Sequence, residues 1–181
     1  MSKEINIRRN NTAVIVSDVT LPKYYRISFD LWLDEQTVIR TWRKILHVTS
    51  ASSSNCAWPE LYIHEHSKSV LNHAFKCIIG DDNRQYIFQN DIDISIRNWH
   101  QIEYSQLPIS NSTLSELTIS INGTALHRII NPEAKKYENM EVYYGNKPNE
   151  ISKETTMAEG KVRNFKIEEH FPGYFEFIDN I

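Results

Sequence analysis

Residues 117–124 constrain this chain more than any other stretch. Leu117, Ile119 and Ile121 alternate with Thr118, Ser120 and Asn122, the period-2 pattern of a strand with one buried face. Asn122 and Gly123 come next, and both tolerate the positive φ angles that a two-residue type I′ hairpin turn demands. The chain returns through Ala125, Leu126, Ile129 and Ile130. A half-buried strand, a tight turn and a returning strand specify an antiparallel sheet.

The same pattern recurs. Tyr25, Ile27, Phe29, Leu31 and Leu33 alternate with Arg26, Ser28 and Asp30. Trp32 falls on the polar side of that alternation, so this second face should be partly covered. Further strands are predicted at residues 13–16, 44–49, 60–66, 75–79, 86–88, 140–144 and 160–168, separated by polar or Pro- and Gly-containing turns. No segment of 11 or more residues carries an apolar period of 3.6, and residues 131–137 could hold at most one helical turn. Strands without helices point to an all-β antiparallel two-sheet sandwich. At 181 residues the chain suffices for one domain with a sizeable core. Residues 1–11 read as a polar leader and 12–169 as the sandwich. Residues 170–181 carry Phe171, Tyr174, Phe175, Phe177 and Ile178, too aromatic for an idle tail. Docking on their own sandwich is the default; strand addition to a neighbouring subunit is the alternative.

The formal net charge of −3 gives no electrostatic reason to expect nucleic acid or an anionic membrane as partner. No apolar run approaches the ~20 residues that span a bilayer. The N-terminus has charge but no apolar run after it, which fits a cytosolic chain and equally an excised domain. Cys56 and Cys77 could form one disulfide or remain two thiols, and spacing does not choose. No nucleophile elbow, P-loop or dinucleotide fingerprint is present. Glycoside hydrolysis with retention needs two carboxylates about 5 Å apart. The nearest candidate is Asp91 and Asp93, but neither is Glu, and Ile92, Ile94 and Ile96 make the acids the wet side of a strand. A non-enzyme is expected.

Binding candidates remain. Trp58 follows a Ser-rich loop and precedes Pro59, while Tyr143 and Tyr144 are adjacent; their rings could stack on pyranose faces. Trp42 offers a further ring, whereas Trp32 and Trp99 are assigned to the core. Asp81, Asp82 and Asn83 put hard oxygen ligands into one turn, a calcium candidate, although such clusters are more often plain turns. His64 and His66, with His73 nearby, could hold zinc; solvated strand histidines are the preferred reading. Asn10, Asn111 and Asn122 open glycosylation sequons, with Asn111 in a predicted surface loop.

Five segments taken in order then resemble a known superfamily. They are the strand from Tyr25 to Trp32, the strand opening with Trp99 and His100, the strand ending in the Asn122 and Gly123 turn, the segment after Met140, and the closing strand that begins at Gly160 and includes Val162, Asn164, Phe165 and Ile167. Together they resemble the concanavalin A-like lectin/glucanase superfamily, in particular its laminin-G-like jelly-roll domains, over residues 12–169. The resemblance implies two antiparallel sheets packed face to face, one of them concave. Its members mostly bind glycans, matrix proteins, receptors or steroids, often with calcium at a rim, and a minority cleave polysaccharides. The legume-lectin calcium pattern and the galectin sugar motifs are not reproduced here. The expectation is a non-catalytic recognition and adhesion module, extracellular or on a cell surface, meeting a glycan or protein ligand at a loop rim. The alternative is a structural subunit that self-associates through sheet edges and the aromatic C-terminal segment.

Overall fold

In the computed structural model, the described residues are 4–7, 13–34, 42–50, 57–66, 72–79, 84–93, 97–132, 134–144, 156–157, 159–171 and 174–180. They hold β1 (Ile5–Ile7), β2 (Ala13–Leu21), β3 (Tyr25–Leu33), β4 (Trp42–Ser50), β5 (Ala57–His66), β6 (Asn72–Ile79), β7 (Arg84–Asp93), β8 (Trp99–Pro108), β9 (Ser115–Ile121), β10 (Thr124–Asn131), β11 (Tyr137–Tyr144), β12 (Thr156–Met157), β13 (Gly160–Phe171) and β14 (Tyr174–Asn180). Sheet A runs β1-β13-β3-β8-β9-β10, with β14 also beside β13; sheet B runs β2-β11-β4-β5-β6-β7, with β12 beside β4. Among the described residues only the short β12–β4 pairing is parallel. No helix among the described residues is long and apolar enough to cross a membrane.

The all-β sandwich follows from the alternation. Tyr25, Ile27, Phe29, Leu31 and Leu33 of β3 are all buried, as are Ile102 and Tyr104 of β8, Leu117, Ile119 and Ile121 of β9, and Val162, Phe165 and Ile167 of β13. They share one core with Val16, Val19, Leu21, Leu46, Val48, Leu61, Met140, Val142 and Tyr144 of sheet B. Burying each such side chain stabilises the fold by roughly 1.5–3 kcal/mol. At its centre the Phe29 and Phe165 rings lie 6.3 Å apart.

The hairpin forms as its turn residues require. Ile121 pairs with Thr124, and Asn122 and Gly123 take φ angles of 50° and 77°, both positive as in a type I′ turn. Asn122 Oδ1 accepts the Gln101 backbone N–H at 2.9 Å. That leaves its amide nitrogen facing His100 Nδ1 at 3.2 Å, which ties the turn to the buried imidazole.

A buried polar latch ties the other end of sheet A together. Gln106, 3% exposed, donates to the Lys23 carbonyl at 2.7 Å and accepts from Asn131 Nδ2 at 2.7 Å. The Asn131 carbonyl in turn accepts from Ser115 Oγ at 2.8 Å. Replacing Gln106 by Leu strands two polar groups, and a stability loss of about 1–2 kcal/mol is expected in urea titration; an unchanged midpoint would show that water replaces the latch.

Both chain ends differ from, or sharpen, the sequence expectation. Residues within the supposed polar leader form β1, pairing Ile5 with Val162 and Ile7 with Gly160, and Ile5 packs against the core. Three residues are too few to show periodicity, so this strand was hidden. β14 folds back on β13, pairing Phe171 with Tyr174 through Lys166 with Asn180. The two terminal strands thus share one edge of β13.

Candidate functional site

Four cross-strand rows lie on the outer face of sheet A. They are Lys161, Trp32 and Trp99; Arg163, Asp30 and Gln101; Lys166, Ser28, Glu103 and Ser120; and Glu168, Arg26, Ser105 and Thr118. Strand alternation places these residues opposite the core positions of the same strands. Trp32 and Trp99 therefore lie outside the core, and their assignment to it is corrected: both are half-buried, directly paired across β3 and β8. Their ring centroids are 5.6 Å apart with planes inclined at 58°. Trp32 Nε1 donates to Asp34 Oδ1 at 3.1 Å, which satisfies the indole N–H and fixes the ring.

A β-bulge organises the polar groups beside these rings. The β13–β3 register passes from Arg163 opposite Asp30 to Lys166 opposite Ser28, one extra residue on β13. Asn164 absorbs it with φ at 56°, a left-handed conformation that asparagine tolerates better than most residues. The consequence is that two successive side chains reach one carboxylate. Arg163 Nε donates to Asp30 Oδ2 at 3.1 Å and Asn164 Nδ2 donates to the same oxygen at 2.6 Å. The Arg163 guanidinium lies 3.9 Å from the centre of the Trp99 ring, a stacked cation–π contact.

Charges on this face are matched. Arg26 sits 3.4 Å from Glu103 and 3.6 Å from Glu168, Lys161 is 3.2 Å from Glu4, and Arg128 is 3.8 Å from Glu116. With Arg163 on Asp30, the result is an interleaved surface rather than a patch of one sign. Most of these pairs are partly exposed and individually contribute little to stability.

The aromatics expected at a ligand site fare differently. Tyr144 is fully buried in the core, and burial alone pushes its hydroxyl pKa well above the usual phenol range. It presents no face to a sugar, which corrects that expectation. Tyr143, its neighbour on the strand, is on the opposite face of sheet B but is only 4% exposed. Its hydroxyl donates to Glu141 Oε2 at 2.6 Å, and its ring stands edge-on to the buried His47 at 6.4 Å. Tyr143 is thus a sheltered member of a His47, Tyr143 and Glu141 cluster, not an open platform. Trp58 lies in β5 beside Ala57, which pairs with Thr49; its side chain is outside the described residues. So are Asp81, Asp82 and Asn83, Cys56, and the side chains of Cys77, His64, His66 and His73. Among the described residues no group of three His, Cys, Asp or Glu side chains could hold a metal ion.

Tyr143 supplies a pH prediction. Burial first, then the bond to Glu141 and its charge, pushes its pKa up to about 12 from an ordinary value of 10.0. A phenol that deprotonates more readily unfolded than folded stabilises the fold fully below pH 10, and that contribution is lost as pH rises towards 12. Stability is expected to fall over that interval, and the Tyr143→Phe variant should show a shallower alkaline decline. Superimposable profiles would sink the assignment.

No family model matches the chain, and no curated protein matches it in sequence. Solved structures match its fold. A heptameric SAP-like pentraxin from Limulus polyphemus superimposes with a TM-score of 0.65 at 8% identity, over 91% of this chain and 74% of that one. The endo-1,3-β-glucanase of Streptomyces sioyaensis gives 0.52 at 11% identity over 88% and 73%. The carbohydrate binding module CBM66 of Bacillus subtilis gives 0.50 at 7% identity over 94% and 92%. Identities this low show the fold alone: an antiparallel two-sheet jelly-roll sandwich. That fold serves binding modules and hydrolases alike, so function has to be argued from the site.

Proposed function

We propose that this chain is a non-catalytic recognition module that binds a glycan, working outside the cell or at its surface. The observation that carries the reading is the outer face of sheet A. Two half-buried tryptophans lie there beside a carboxylate and a guanidinium fixed by a bulge. Flat rings beside oriented polar groups are what a sugar needs, one apolar face against the ring and hydroxyls at its edge. The carboxylates of this face are each held by a cation, which supports a binding role over acid–base chemistry. The carbohydrate binding module among the structural neighbours supports this reading. This moves the proposed ligand from the loop rim to a sheet face.

A glycan array with the full chain tests the reading. Binding should be selective, quench tryptophan fluorescence and weaken at least tenfold in Trp32→Ala. Binding that survives Trp32→Ala but disappears in Trp58→Ala would return the site to the rim. A second reading, self-association, rests on β10, which among the described residues pairs only with β9 and leaves Ile130 48% exposed. Such an edge can template another strand. Sedimentation should then show a dimer or larger species that Ile130→Lys dissociates; a monomer throughout the concentration range removes this reading.

A further inference from the structure

We propose that the outer face of sheet A selects a neutral oligosaccharide, with Asp30 and Arg163 gripping adjacent hydroxyls while a sugar ring rests on Trp32. This rests on the glycan reading and adds the ligand's charge class and its two polar anchors.

The anchors follow from which atoms are already committed. Asp30 Oδ2 accepts from both Arg163 Nε and Asn164 Nδ2, which locks the carboxylate plane. Its Oδ1 has no partner among the described residues, and the side chain is 20% exposed. Arg163 spends Nε on Asp30 and its flat face on Trp99; its two terminal nitrogens have no hydrogen-bond partner among the described residues. An oriented acceptor and an oriented donor therefore stand side by side. Neighbouring sugar hydroxyls match such a pair, one donating to the carboxylate oxygen and the next accepting from the guanidinium. Trp32 is positioned by its bond to Asp34, so little ordering is left to complete when a ring lands on it.

The charge class follows from the ion pairs. Among the described cations of this face, Arg26, Arg128, Lys161 and Arg163 each already have a carboxylate at 3.1–3.8 Å, and Lys166 is engaged as well. A uronic or sialic acid would have to displace one of these, leaving a carboxylate beside its own. A neutral sugar displaces none. The face also has length: from Trp32 to Arg26 along β3 is six residues, about 20 Å, longer than a single pyranose, so affinity should grow with chain length.

Isothermal titration of the full chain tests this with two sets of probes. One set is neutral oligomers of β-1,3-glucan, β-1,4-glucan, xylan, arabinan and fructan; the other is oligomers of alginate and polygalacturonate. The expected result is binding of a neutral oligomer, tighter for longer chains and insensitive to salt. It should weaken at least tenfold in Asp30→Asn and in Trp32→Ala, and less in Trp32→Phe, which retains a ring without disturbing the ion pairs. Preference for uronate oligomers, lost at high salt, would overturn the neutral class while leaving glycan recognition standing. Neutral binding unaffected by both Asp30→Asn and Trp32→Phe would overturn the anchors. If no saccharide binds the wild-type chain, glycan recognition itself falls.

Discussion

Gly160→Ala is expected to cost at least about 3 kcal/mol, at the upper end of what overpacking does. Gly160 opens β13 between two neighbours, paired with Leu33 on one side and Ile7 on the other. A Cβ at this position would overlap the carbonyl oxygen of Trp32 and stand 3.1 Å from its carbonyl carbon and 3.2 Å from Leu33 Cα. These are backbone atoms and cannot swing aside as a side chain can. β13 would have to lift from β3, loosening the rows that hold Lys161 and Arg163. For a domain of this size the melting temperature should fall by about 6–12 °C. The tryptophan emission should shift as well, because Arg163 would no longer be held over Trp99. A variant melting within two degrees of the parent would show that the strands have slack here.

The fold was legible because its strands have one wet face and one dry one. In β9 the inward residues Leu117, Ile119 and Ile121 are buried while Glu116, Thr118 and Ser120 are not, and alternation of that contrast survives any tertiary context. The candidate site was legible only in part. Trp32 shares its parity with Arg26, Ser28 and Asp30, so its outward position is written in the period even though large aromatics more often belong to a core. Tyr143 and Tyr144 carry the same lesson, since adjacent residues of a strand face opposite ways and cannot both meet one ligand. The Asp30 cluster was out of reach. Its donors are 133 and 134 residues away in sequence, and both reach the carboxylate only because Asn164 takes a left-handed turn inside a strand. Nothing local marks a bulge in advance, although the asparagine in the closing segment was its one visible trace.

The same cluster yields the second large effect. Asp30→Ala removes the acceptor shared by Arg163 and Asn164, two charge-assisted hydrogen bonds of 3.1 and 2.6 Å to one carboxylate, the Arg163 bond being an ion pair as well. Such bonds contribute up to about 1.5–3 kcal/mol each, and partial exposure reduces the sum, so a loss of roughly 2–3 kcal/mol is expected. The reason for losing Asn164 to the left-handed region also weakens, since its side chain no longer has a partner to reach; Asn164→Gly in the Asp30→Ala background should then recover part of the stability, because glycine adopts positive φ without strain. Binding behaves differently. The glycine substitution restores the bulge but not the carboxylate, so saccharide affinity should stay at least tenfold down even where stability returns. Denaturant titration and calorimetry on the two variants separate these roles. If affinity recovers along with stability, Asp30 only holds the bulge in shape, and the polar anchor must be sought elsewhere on the face.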